Sequence, residues 1–282
     1  MIGRVIAAGL LLGVAAVQSA PAAEMLAVPV EYGDKTIELP AYYYRPEGPG
    51  PFPAVVLMHG CSGISPSHHA WARWLNERGY AVLIADSFNP RGTRQVCTPR
   101  PQVAVAPMQR AGDARAAARV LAERPEIDGS RLALMGFSHG GASTLFASLS
   151  EEGKERAPQP FLAAIAFYPD CSLRGRVTQS FAASTPVLIL IGEADDWTPA
   201  QRCRDLMPRI DAAGAPVTLK TYPDAYHGYD VVGSKLRFRP DVANRNKPGG
   251  CCGAMLGFNE PAFLDSQIQV EQFLARYLGV PR

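Results

Sequence analysis

Residues Gly136-Phe137-Ser138-His139-Gly140-Gly141 form a Gly-x-Ser-x-Gly pattern. The apolar run Arg131-Leu132-Ala133-Leu134-Met135 precedes it, and the helix-compatible stretch Ala142–Leu149 follows. Strand, sharp turn and helix in that order lift a serine hydroxyl above a sheet edge, where it can attack an electrophilic carbonyl. A hydroxyl needs a base to take its proton, and the base needs an acid to orient it. The chain supplies both downstream. Pro186–Gly192 reads as a buried strand that runs into Glu193-Ala194-Asp195-Asp196. Val217–Tyr222 reads as another strand, ending in Pro223-Asp224-Ala225-Tyr226-His227-Gly228. In this order Ser138 is the nucleophile and His227 the general base. An aspartate on the Gly192 loop accepts the second imidazole N–H.

Two aspartates compete for that last place. The acid commonly stands three residues after the glycine that ends its strand, which selects Asp195. Asp196 is the runner-up, read as a turn or cap residue before Pro199. Acyl transfer also requires donors for the developing oxyanion. The backbone N–H of His139, next after the nucleophile, is one. The strand Ala54–Met58 runs into His59-Gly60-Cys61-Ser62-Gly63, and the N–H of Cys61 is the expected second. A thiol nucleophile at Cys61 is the lesser reading once Ser138 occupies the turn.

These segments, with Ala85-Asp86-Ser87-Phe88, Arg91-Gly92 and Ala225–Gly228, resemble the dienelactone hydrolase family of α/β-hydrolases. The likeness runs from about Leu26 to the C-terminus and is weakest between Tyr229 and Asn259. It implies hydrolysis of a carboxylic ester or lactone through an acyl-enzyme, with no cofactor. The founding dienelactone enzymes carry cysteine at the nucleophile position. Ser138 in that place shifts the implied substrate toward a more general ester.

The elements that must position these groups are legible. Strands are expected at 26–32, 36–45, 53–59, 80–85, 131–136, 161–167, 186–191 and 216–222. Helices are expected at 67–78, 107–123, 138–150, 199–213 and 262–278. The alternation predicts an α/β fold: a mostly parallel eight-stranded sheet with helices on both faces and an antiparallel hairpin at its first edge. Tyr42-Tyr43-Tyr44 is read as part of a sheet face. The chain has 282 residues, 47% hydrophobic and 19% charged, which suits one large domain at 24–282. A net charge of +2 with scattered basic residues gives no nucleic-acid signature.

Residues 1–23 read as a secretory signal peptide: Arg4, an apolar core from Val5 to Val17, and the small-residue site Ala20-Pro21-Ala22. A retained anchor is the alternative. Export places the mature protein outside the cytoplasm, secreted or periplasmic, with no membrane attachment after cleavage. The six cysteines can then form disulfides. Cys61 and Cys97 follow successive strands at the catalytic edge, as do Cys171 and Cys203, and those pairings are expected. Cys251 and Cys252 are left open among pairing with each other, with a partner chain, or not at all.

Two long irregular segments, about 87–107 and 229–259, are expected to lie near the site as lids or binding loops. Their Arg91, Arg94, Arg100, Arg237, Arg239, Arg245 and Lys247 are read first as solvated charge and second as a carboxylate-binding set. Trp197 either lines the pocket or packs under its loop. His68 and His69 are read as surface residues; they form no metal-ligand pattern. Two other functions remain in view. One is a serine peptidase of the prolyl-oligopeptidase kind, which shares the fold and residue order. The other is an inactive hydrolase-like binding protein.

Overall fold

The computed structural model describes residues 23–151, 160–173, 181–210 and 214–280. The expected signal peptide therefore lies outside the described residues, apart from Ala23. Twelve strands and five α-helices alternate among them: β1 Glu24–Tyr32, β2 Lys35–Tyr44, β3 Phe52–Met58, α1 Pro66–Asn76, β4 Ala81–Ala85, α2 Pro107–Ala122, β5 Ile127–Phe137, α3 His139–Ser148, β6 Leu149–Glu151, β7 Ala163–Phe167, β8 Phe181–Ala183, β9 Val187–Gly192, α4 Ala200–Leu206, β10 Val217–Tyr222, β11 Arg237–Arg239, β12 Ala254–Leu256 and α5 Glu260–Leu278.

Eight of these strands form one sheet in the order β1-β2-β4-β3-β5-β7-β9-β10. β1 and β2 make the expected antiparallel hairpin, and β2 is antiparallel to β4. From β4 to β10 every pairing is parallel. β3, β4, β7 and β9 are buried along their whole length. That accounts for their runs of Val, Ile, Leu and Ala, since a parallel sheet is covered on both faces. α1 meets α5 through Trp71 and Phe263, with ring centroids 5.8 Å apart, while α2 packs on α3. Each fully buried side chain such as Leu83, Ile84 or Leu134 contributes roughly 1.5–3 kcal/mol relative to exposure. The sum holds the strand ends rigid, and the candidate site sits on those ends.

Three expectations need local correction. The helix expected at 138–150 ends at Ser148, and the chain turns into a short β6–β8 ribbon. The helix expected at 199–213 stops at Leu206 and tightens into a 3-10 turn at Met207–Arg209. Pro208 explains the stop, because it lacks the N–H that an α-helical bond would use; residues 211–213 lie outside the described set. The third concerns His68 and His69, which are not surface residues. His68 is buried and accepts the Ser65 N–H on Nδ1 at 2.9 Å, serving the first turn of α1. His69 is half-buried with Nδ1 2.6 Å from the Tyr44 hydroxyl. Tyr43 and Tyr44 are buried, as a sheet face requires.

Candidate active site

β5 delivers Ser138 and α3 begins immediately after it. Ser138 has φ 52° and ψ −112°, a conformation that costs a non-glycine residue of order 1–3 kcal/mol. The packing around the turn leaves no alternative. A Cβ at Gly140 would strike the Met58 carbonyl at the end of β3, so only glycine lets the turn sit against that strand. The Ser138 N–H donates to the Phe167 carbonyl at 2.9 Å, tying the turn to β7 as well.

His227 and Asp195 arrive from the two neighbouring strand ends, β10 and β9. A Cβ at Gly192 would overlap the Ala225 carbonyl, so glycine there brings the aspartate loop and the histidine loop into backbone contact. The three side chains then form a chain of hydrogen bonds. His227 Nε2 lies 2.8 Å from Ser138 Oγ, and His227 Nδ1 lies 2.8 Å from Asp195 Oδ2. The consistent proton assignment has Nδ1–H donating to the carboxylate and Nε2 accepting from the serine hydroxyl. Asp195 and His227 are each 3% exposed, whereas Ser138 is half-open to the cleft.

Asp195 is fixed on its other side too. Its Oδ1 accepts the N–H groups of Trp197 at 2.9 Å and Thr198 at 2.8 Å. Thr198 Oγ1 lies 2.9 Å from Oδ2 and 3.1 Å from His227 Nδ1. Asp196 faces elsewhere. It accepts the Met255 N–H at 2.8 Å and pairs with Lys247 at 3.4 Å, anchoring the 229–259 segment. The structure thus brings Ser138, His227 and Asp195 together and leaves Asp196 out.

Sequence alone missed the support behind His227. The Tyr168 ring lies against the imidazole at 4.6 Å between centroids, and the Trp197 ring covers it at 4.7 Å. Tyr168 and Trp71 both donate to buried Asp230, at 2.6 Å and 2.8 Å. Burial pushes the Asp230 carboxyl above its ordinary range, and its two donors partly offset that. The one available signal was its position three residues after His227.

A cleft of about 560 Å³ opens beside Ser138 and His139. Its walls come from both irregular segments, including Val96, Pro99, Val105, Ala243 and Cys251. The segments are joined to each other, since the Ala243 N–H donates to the Cys97 carbonyl at 2.8 Å. Disulfides link Cys61 to Cys97 and Cys171 to Cys203, as expected. Cys61, a proposed oxyanion donor, therefore holds its thiol in a bridge. Trp197 lines the cleft and also packs, with Nε1 2.7 Å from the Ala243 carbonyl.

The arginines divide. Arg91 is buried and grips Asp113 through two bonds of 2.7 and 2.9 Å, so it is neither solvated nor open to a substrate. Arg94 and Arg100 are exposed. Arg237 is exposed, Arg239 pairs with Asp241 at 2.6 Å, and Lys247 pairs with Asp196. Arg245 and Arg202 reach the cleft wall, Arg202 held 3.1 Å from Asp170. No cluster of three or more His, Cys, Asp or Glu with metal-binding geometry occurs among the described residues, and no helix among them is long and apolar enough to cross a membrane.

Several known proteins have similar sequences. A Salmonella typhimurium protein assigned as a carboxymethylenebutenolidase is 26% identical over 208 residues, covering 69% of this chain and 74% of that protein. A Bradyrhizobium protein assigned as a 2-oxo-3-(5-oxofuran-2-ylidene)propanoate lactonase is 25% identical over 201 residues, covering 67% of this chain and 78% of its own length. Among solved structures, Thermogutta terrifontis esterase 2 phosphorylated by paraoxon superposes with a TM-score of 0.65 at 17% identity, covering 96% of this chain and 100% of that one. A dienelactone hydrolase-like promiscuous phosphotriesterase from metagenomic libraries gives 0.62 at 20% identity, covering 91% and 99%. These structural likenesses establish the shared fold. The dienelactone hydrolase family model matches residues 39–259, a span that takes in the Ser138 turn, both partner loops and most of the sheet that carries them. The chain belongs to the dienelactone hydrolase family.

Proposed function

We propose that this protein is an exported serine hydrolase that cleaves small carboxylic esters or lactones through an acyl-enzyme on Ser138. The observation that carries the reading is the pair of 2.8 Å contacts joining Ser138, His227 and Asp195 at the mouth of the cleft. Ser138 Oγ attacks the substrate carbonyl while His227 Nε2 takes its proton. Asp195 holds the imidazole in the required tautomer and stabilises the cation that forms. The carbonyl oxygen becomes an oxyanion facing the N–H groups of Cys61 and His139. His139 is the first residue of α3, so its N–H sits at the positive end of the helix dipole. Collapse expels the alkoxide, which leaves with the proton from His227. Water, deprotonated by the same imidazole, then attacks the acyl-serine and restores the hydroxyl.

The chemistry needs no cofactor or metal, since nucleophile, base and oxyanion donors all come from the chain. Apolar walls with a few charged groups suit an ester of modest size. The signal-like start at residues 1–23 and the two bridges between distant cysteines support an oxidising, extracytoplasmic location.

A fluorophosphonate should label Ser138, and Ser138→Ala should abolish labelling while lowering p-nitrophenyl ester hydrolysis by several orders of magnitude. Label on another residue, or activity retained in Ser138→Ala, would refute the mechanism. A panel of p-nitrophenyl esters graded by acyl length, lactones and aminoacyl amides ranks the substrate classes. Amides turned over faster than esters would favour the peptidase reading, and no turnover of any would favour the binding protein.

A further inference from the structure

Arg110 is fully buried within α2, a position where a guanidinium is costly unless its donors are used. It does not form the ion pair with Asp113; Arg91 does. Its two hydrogen bonds go forward, into the site. Nη2 donates to the His59 carbonyl at 2.8 Å and Nη1 to His139 Nδ1 at 2.9 Å. The first acceptor opens the loop that ends at Cys61, and the second belongs to the residue after Ser138. Each loop thus carries one of the two backbone donors assigned above to the oxyanion. The Phe88 ring supports the guanidinium at 4.9 Å and so limits its movement.

A guanidinium is a rigid planar fork that only donates. Two acceptors gripped by one fork are held at a fixed spacing, and the loops they belong to are held with them. The acceptor at His139 must then be a bare Nδ1, which puts the ring proton on Nε2. The neighbouring His59 fits the same arrangement. Its Nδ1–H donates to the Gly60 carbonyl at 2.8 Å, and its Nε2 accepts the Ser87 N–H at 3.2 Å. A neutral ring satisfies both bonds, and burial together with the Arg110 charge holds the His59 pKa far below its ordinary value. Burial lowers Arg110 itself to about 9, which leaves it charged at neutral pH.

We propose that Arg110 is a positioning residue for the oxyanion hole: it clamps the Cys61 loop to the Ser138 turn and fixes His139 as its Nε2–H tautomer. The assignment rests on the Ser138 acyl-transfer reading. It predicts a defect confined to the transition state, because the donors are needed fully only when the oxyanion forms.

The test compares Arg110→Met, which removes both bonds at similar volume, with Arg110→Lys, which keeps the charge and one donor. For p-nitrophenyl acetate, kcat should fall about 10²-fold in Arg110→Met with KM little changed, the size expected for loss of one oxyanion donor. Affinity for a trifluoromethyl ketone, which forms the tetrahedral adduct, should fall in step with kcat. Arg110→Lys should lie between Met and the unaltered protein. Unchanged kcat, equal losses in both variants, or a kcat loss without loss of ketone affinity would overturn the proposal. Should neither variant fold, ¹⁵N shifts of His139 in the unaltered protein decide: a proton on Nε2 supports the clamp and a proton on Nδ1 overturns it. Ser138→Ala run alongside separates the two readings. Activity surviving there removes the acyl-enzyme itself, whereas a dead Ser138→Ala beside a fully active Arg110→Met removes only the clamp.

Discussion

The two sides of the cleft are built by different means. On the side of the proposed triad, Ser138, Asp195 and His227 follow the ends of β5, β9 and β10; the ends of β5 and β9 are sealed into the main core, and the edge strand β10 joins it through Tyr222. On the facing side, the walls are irregular segments that share little with that core. They enclose a small separate apolar cluster of Cys61, Cys97, Val242 and Ala254, with Val96, Trp197 and Leu256 against it. Discrete ties hold this cluster in place, among them the Cys61–Cys97 bridge, the Ala243–Cys97 backbone bond, the Trp197–Ala243 and Asn244–Asp196 bonds, and Asp196 with Lys247 and the Met255 N–H. Burial in the main core stabilises most of the first side. The second depends on a few discrete links, so damage to one should be felt locally. The proposed chemistry rests on the fold, and the shape of the cleft rests on discrete links.

The largest test of this division concerns the neighbouring aspartates, which serve one side each. Asp195→Asn should lower kcat by about 10⁴-fold, because the imidazole loses its orienting carboxylate. Asp196→Asn should leave kcat within roughly tenfold and act mainly on KM, through the wall it anchors. Steady-state kinetics on both variants checks this, and a reversed ranking would collapse the distinction.

Removal of the Cys61–Cys97 bridge in a Cys61→Ser/Cys97→Ser pair comes next. A separation of 36 residues corresponds to about 4 kcal/mol in the chain-entropy treatment of disulfides. Denaturant unfolding should show that loss, and KM should rise more than kcat falls. Loss of kcat alone would mean that the wall and the catalytic side are not separable.

The smallest effect is an acid sensitivity seated at the end of β3 and the start of α1, where the two sides meet. His59 and His68 lie behind the Cys61 loop, and burial holds both neutral in the fold, His68 down to about 3. In the unfolded chain a histidine takes a proton near pH 6.5. Stability is therefore fully present above that pH and declines as pH falls toward the folded-state value, by up to about 1.4 kcal/mol per pH unit for each histidine. Urea midpoints between pH 7 and 5 should fall in the unaltered protein and fall less in His68→Gln. Identical slopes would remove His68 from the account.

Sequence showed the sheet clearly because β3, β4, β7 and β9 are uninterrupted apolar runs, and burial on both faces leaves no other reading for them. It also pointed to Ser138 and the aspartate loop, which follow such runs, and to His227, which follows the alternating strand Val217–Tyr222. What it could not supply was side-chain direction on short loops. Asp195 and Asp196 are adjacent, and only the backbone bonds from Trp197 and Thr198 turn one toward the histidine. Arg91, Arg110, His68 and Asp230 were illegible for a related reason. Polar residues inside a core look like surface residues until the partner that satisfies them, distant in sequence, is known: Asp113 for Arg91, and Tyr168 and Trp71 for Asp230.

Asp195 is gripped on both oxygens, by two amides on one and by imidazole and hydroxyl on the other. A carboxylate so enclosed is held in one rotamer, so the imidazole it bonds is aimed at Ser138 before any ligand arrives. On the proposed mechanism, selection among substrates then falls to the walls of the cleft rather than to movement of the triad.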